Sequence, residues 1–208
     1  MTGIGLKSGV RVLLFGSRRA PRPLSGVPAV RIGGPQDVDA AVTGCGRVAV
    51  VGSQSDLATV LTGLMRAERL DVEVAHVRGR LDARRALTGS VRRVPLVRDD
   101  TGTALAGCAL WLPPGGSAVI LGEAVADDTV LFDGEARAVR IEPTGAMPGV
   151  RATVLGHGVR RWIHAWHGAR AVQLGTTGAR VVRDGVPDAR VVRRSTFYRH
   201  TTGWLRVG

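Results

Sequence analysis

Lysine is nearly missing from this chain: Lys7 is the only one, against 28 arginines. The skew fits a GC-rich coding genome, so arginine in place of lysine carries no message at any single site. Cysteine is scarce too. Cys45 and Cys108 stand far apart in apolar or glycine-rich surroundings with no Cys-x-x-Cys spacing. That excludes a disulfide framework, a zinc ribbon and a c-type haem site, and fits a reducing compartment. Aromatic residues amount to 4%. No stretch approaches the roughly 18 consecutive apolar residues of a spanning helix. The best candidate, residues 104–125, is broken by Pro113-Pro114-Gly115-Gly116 and carries Glu123. The apolar run at 12–15 is too short for a secretion signal, and Arg18-Arg19 leads into Pro-rich sequence, so a cytoplasmic protein is expected.

Several catalytic signatures are missing as well. There is no His-Glu-x-x-His; His164 and His167 lie three apart with no carboxylate until Asp184, which speaks against a zinc protease. No serine sits in a Gly-x-Ser-x-Gly elbow. The expectation is of no metal and no cofactor. Acidic residues are thin in one region only. Residues 137–208 hold 13 arginines against Glu142, Asp184 and Asp188, whereas residues 1–136 nearly balance, so the net charge of +12 belongs to the last third.

What is present is an ordinary globular composition: 208 residues, 44% apolar and 22% charged, with 29 glycines. That is enough for one large domain or two small ones. Apolar runs at 11–15, 29–32 and Arg47–Val51 each end at glycine and read as buried strands. After the third, Ser53-Gln54-Ser55-Asp56 supplies N-cap chemistry, and Leu57, Val60, Leu61, Leu64 and Met65 recur at helical spacing. Residues 71–77 alternate as the next strand, which predicts a parallel βαβ unit.

From about Gly89 the pattern changes to short strands between turns, beginning with a hairpin of 91–98 and 103–112 around Asp99-Asp100-Thr101-Gly102. The expected fold is therefore an α/β N-terminal half, a small parallel sheet with flanking helices, over residues 1–90. An antiparallel β-rich, sandwich-like half with a basic surface follows over 91–208.

A glycine turn between strand and helix is where phosphate binds, because the helix N-terminus offers free N–H groups. Here it reads Gly52-Ser53-Gln54-Ser55-Asp56. An α/β half with this loop, followed by a β-rich half, resembles the diacylglycerol kinase and NAD kinase superfamily, whose loop reads Gly-Gly-Asp-Gly-Thr. Only Gly52 matches by position, and Asp56 would repel phosphate. The family's second loop, Gly-Thr-Gly-Asn-Asp, corresponds to Arg78-Gly79-Arg80-Leu81-Asp82. The resemblance implies a kinase-like fold with degenerate loops and lost activity.

In the last third, guanidinium groups interleave with aromatic rings, and Arg160, Arg161, Trp162, Trp166, Arg183, Arg193, Arg194 and Arg199 are the candidate partner-binding residues. Self-repulsion in this segment calls for an anionic surface: lipid headgroups, an acidic protein, or nucleic acid. No named nucleic-acid module is visible, which ranks that partner second.

The stretch from Ala171 to Pro187, followed by Arg194-Ser-Thr-Phe-Tyr-Arg-His-Thr-Thr-Gly-Trp, resembles a mycobacterial-type actinobacterial family. That family supplies a soluble accessory subunit on the cytoplasmic face of the cytochrome bcc-aa3 respiratory supercomplex. The resemblance implies a non-catalytic role, structural or regulatory, peripheral on the inner face of the membrane, with respiratory-complex subunits and anionic lipid headgroups as partners. Two alternatives stay open: a diverged lipid- or nucleotide-kinase-like enzyme, and a nucleic-acid-binding protein using the basic surface.

Overall fold

The computed structural model describes residues 9–156 and 165–208. They form two compact units. One holds the described residues through Val94 together with Gly203–Gly208, and the other holds Pro95–Thr202.

The first unit is a six-stranded sheet with helices. Its strands are β1 (Val10–Leu14), β2 (Ala29–Arg31), β3 (Arg47–Val51), β4 (Glu73–Val77), β5 (Val91–Val94) and the last strand of the chain, β16 (Trp204–Val207). Their order is β2-β1-β3-β4-β16-β5. All neighbours run parallel except β5, which pairs antiparallel with β16. The helices are α1 (Val38–Val42), α2 (Gln54–Arg66) and α3 (Arg80–Thr88).

Strand alternation buries both faces of this sheet. Val12, Leu14, Ala49, Val51, Ala75 and Val77 pack with Leu24, Ala83 and Ala86 on one side. Leu13, Val48, Val50 and Val74, the residues between them, are equally buried and point to the other side. On the buried face of α2, a Cβ at Gly63 would stand 2.5 Å from the Val38 Cβ, so only glycine lets α1 and α2 approach this closely. Arg47 ties the layer together. Its Nε donates to Glu73 Oε2 at 2.7 Å, and its Nη1 donates to the carbonyls of Ala86 (3.2 Å) and Leu87 (3.1 Å), capping the negative end of α3.

The second unit is wholly antiparallel: β6 (Val97–Asp99), β7 (Ala104–Leu105), β8 (Ala109–Leu112), β9 (Ile120–Ala126), β10 (Thr129–Ala136), β11 (Val139–Pro143), β12 (Val150–Val154), β13 (His167–Ala169), β14 (Ala171–Arg183) and β15 (Val186–Arg199). The path is β13-β12-β11-β8-β14-β15-β6-β7. β14 pairs with β9 along its first half and with β8 along its second, so one long strand serves two neighbours on the same edge. Its register breaks between Gly175 and Ala179. A single core fills the unit, centred on the fully buried Trp111 and Phe197, whose ring centroids lie 6.0 Å apart. Trp111 Nε1 donates to the buried Ser195 Oγ at 3.0 Å.

The α/β half followed by an antiparallel β-rich half is the expected fold class. The expected hairpin does turn at Asp99–Gly102, but its arms are only β6 and β7: Val91–Val94 belongs to the first sheet, and Ala109–Leu112 pairs with β11 and β14. The strand at Trp204–Val207, expected in the β-rich half, lies between β4 and β5.

Asp99 has no exposed surface, yet it is fully engaged. Its Oδ1 accepts from Thr101 N, Thr101 Oγ1 and Thr103 N, and its Oδ2 forms an ion pair with Arg183 Nε. Removing one member of a buried pair strands the other, at about 3–5 kcal/mol. Asp99→Ala and Arg183→Met are each expected to lower the urea midpoint sharply. Because Oδ1 also fixes the Asp99–Thr103 turn, the double variant is expected to recover only the part due to the unpaired charge. A double-mutant cycle measures that part.

Candidate active-site crevice

The chain leaves β1 toward β2 on one side, then crosses β1 to place β3 on the other. Where connections diverge in this way, the loops at the carboxyl ends of the two strands part and leave a crevice, the usual ligand position in open α/β sheets. Here the loops are Gly16-Ser17-Arg18-Arg19 after β1 and Gly52-Ser53-Gln54-Ser55-Asp56 after β3, with Arg78-Gly79-Arg80-Leu81-Asp82 following β4.

Ser53 is the N-cap of α2, as its sequence suggests, in a reciprocal capping box with Asp56. Asp56 N donates to Ser53 Oγ at 3.2 Å, while Asp56 Oδ2 accepts from Ser53 N at 2.7 Å and from Ser53 Oγ at 2.9 Å. A Cβ on Gly52 would meet the Asp56 Cβ at 2.6 Å, so the matching glycine is required by this cap. The carboxylate thus occupies the amide-lined place at the helix start that an incoming phosphate would take. It also reaches across the crevice, where Arg18 Nη1 lies 3.2 Å from Asp56 Oδ2. Asp82 repeats the arrangement after β4, accepting from Arg78 N at 3.1 Å with Arg78 Nε at 3.7 Å. Arg18, Arg19, Arg78 and Arg80 are all exposed at this edge, and the last two line a surface cavity of about 550 Å³ with Gly79, Leu81 and Asp82. Four cations around two internally engaged carboxylates make the edge receptive to anions.

His76, not singled out in the sequence, belongs to the crevice. Its Nε2 donates to the Gly52 carbonyl at 3.1 Å. Burial pushes its pKa below the ordinary 6.5, partly opposed by the Gly52 carbonyl, while Arg78 lowers it further and Asp82 raises it. The signal available in the sequence was its place one residue before the end of β4.

The partner-binding candidates that are described stand in differing surroundings. Arg160, Arg161 and Trp162 lie outside the described residues. Trp166 is 41% exposed, with the Arg151 guanidinium 4.3 Å from its ring centre. Arg193 and Arg194 are exposed on β15. Arg183 is not a surface cation: it is held between Asp99 and Asp188. Arg199 donates to the Pro148 carbonyl at 2.9 Å and is only partly exposed. Among the described residues no three His, Cys, Asp or Glu side chains cluster as metal ligands, and no helix is long and apolar enough to cross a membrane.

No protein-family model and no curated protein matches the chain. Solved structures do. An NAD kinase from Archaeoglobus fulgidus in complex with ATP superposes with a TM-score of 0.63 at 11% identity, covering 96% of this chain and 93% of that one. A diacylglycerol kinase from Bacillus anthracis str. Sterne gives 0.67 at 11% identity and 96% coverage of both chains. Yeast NADH kinase with NADH gives 0.63 at 7% identity, covering 98% of this chain and 84% of that one.

The fold is that of the NAD and diacylglycerol kinases. This likeness spans nearly the whole chain and overturns the expectation of a non-catalytic accessory subunit of the bcc-aa3 supercomplex: the neighbours are kinases. At this identity the likeness is one of fold, and the kinase-like alternative is the one it favours.

Because His76 is harder to protonate in the folded chain than in the unfolded one, the unfolded state takes up the proton first as pH falls below about 6.5. This contribution to stability is present above that pH and lost below it. Urea unfolding at about pH 7.5 and about pH 5.5 is expected to show the loss, and His76→Gln is expected to remove that component.

Proposed function

We propose that the chain is a diverged lipid- or nucleotide-kinase-like protein that binds the phosphates of a nucleoside triphosphate at the β1/β3 crevice. The observation that carries this reading is the Arg18–Asp56 ion pair spanning the strand-order reversal. It lies in a fold shared over 96% of the chain with an NAD kinase that binds ATP.

Phosphoryl transfer asks a protein for positioning and for cations on the transferring group. In this crevice the cations are side chains. Arg18, Arg19, Arg78 and Arg80 take over from the amide nest, which Asp56 and Asp82 fill. A phosphate entering here pairs with Arg18 and frees the Asp56 carboxylate, which then stands beside the phosphate as an acceptor for a hydroxyl proton.

Calorimetric titration with ATP tests the reading. Micromolar affinity at low salt is expected, weakening at least about tenfold in the Arg78→Ala/Arg80→Ala double variant and falling with ionic strength as exposed ion pairs do. Transfer of labelled γ-phosphate to diacylglycerol or NAD, abolished by Asp56→Asn, is the expected catalytic outcome. A folded protein that takes up no ATP at millimolar concentration overturns the proposal, as does binding indifferent to the double variant.

A further inference from the structure

The second unit carries a separate cavity of about 650 Å³, lined by residues of β14, β15 and the β9–β10 turn. Its floor follows from register. Gln173 pairs with Thr196 and Ala171 with Tyr198 across β14 and β15, while Arg98 of β6 pairs with Tyr198 from the other side. Val172, Leu174, Ser195 and Phe197, the residues between them, are buried in the core. Period-two alternation therefore sends Gln173, Thr196 and Tyr198 to the opposite face, side by side. The Tyr198 ring is held by the Arg98 guanidinium, 4.8 Å from its centre.

Two of the four charged groups on the wall are committed to the protein. Asp127 accepts from Arg170 N at 2.8 Å and Ala171 N at 2.9 Å, which fixes the wall of the cavity, and Arg199 is held by Pro148. The side chains of Asp128, Arg170, Gln173, Thr196 and Tyr198 have no hydrogen-bond partner among the described residues. The lining carries two aspartates and two arginines, so its formal charge cancels.

We propose that this cavity is a binding site for an uncharged polyhydroxylated ligand, a sugar or polyol. A hydroxyl donates and accepts at once, so a polyol can engage Asp128 as acceptor, Arg170 as donor, and the mixed groups of Gln173, Thr196 and Tyr198 together. An ionic ligand would meet opposing charge on the same wall. The volume suits a ligand of one or two rings. The same chemistry is offered by a free saccharide and by the glycosyl headgroup of a lipid. The site shares no lining residue with the β1/β3 crevice.

Ligand-observed NMR of the full chain with glucose, maltose and myo-inositol tests the free form. Sedimentation with phosphatidylcholine vesicles, with and without digalactosyl diacylglycerol, tests the lipid-borne form. Binding is expected in at least one arm, reduced about tenfold or more by Gln173→Leu and by Tyr198→Phe, with both variants retaining the wild-type circular dichroism and unfolding midpoint. Glucose 6-phosphate is expected to bind more weakly than glucose. Absence of binding in both arms overturns the site. Binding unchanged in both variants places the ligand elsewhere and overturns it too, and tighter binding of glucose 6-phosphate overturns the preference for an uncharged ligand. ATP titration is expected to be unaffected by either variant, so failure here and failure at the crevice are told apart.

Discussion

One constraint of chain path organises the first unit: β1 lies between β2 and β3, and the chain must pass from β2 across it to reach β3. The two connections then depart in opposite directions, and the loops beyond Leu14 and Val51 have to separate. Arg18 and Asp56 come from the two diverging loops, and the buried strands between them, filled on both faces by Val and Leu, give the gap rigid walls.

A second theme is the use made of carboxylates. Asp37 accepts from the amides of Gly33 and Gly34, Asp56 from Ser53, Asp82 from Arg78, Asp99 from Thr101 and Thr103, Asp127 from Arg170 and Ala171, and Asp184 from Ala106, Gly107 and Cys108. Backbone N–H groups that point together form anion sites, and here the protein supplies its own anion at each. These carboxylates keep their charge, and Asp56, Asp82 and Asp99 also form ion pairs with Arg18, Arg78 and Arg183.

Local order was legible wherever a segment carries its own instructions. Strands β1 to β3 show as apolar runs ending at glycine, and α2 shows through its capping residues and its spaced leucines. Helix α3 did not show, because its buried residues are Ala83 and Ala86, too small to mark an apolar stripe among arginines. The destinations of β5 and β16 were illegible for a different reason: both are short strands whose partners are set by topology, and nothing in Trp204–Val207 names Glu73–Val77 as its neighbour. Charge misled in the same way. Thirteen arginines look uncompensated when counted along the last third, but Arg183 finds Asp99, which sits far earlier in the sequence. At the candidate site, the cap from Gly52 to Asp56 could be read from its residues, whereas the contact with Arg18 needed the fold.

The position of β16 also fixes an order of events during synthesis. Among the described residues strand β5 pairs only with β16, and Gly208 N closes the edge on the Ser90 carbonyl. During synthesis β1 to β5 precede the second unit, yet their sheet lacks β16 until that later segment emerges. The second unit, made later, has all its strands first. The first sheet is therefore closed only after the strands of the second unit have been made, and until then its open edge beside β4 is exposed to the pairing errors that unpaired strand edges invite.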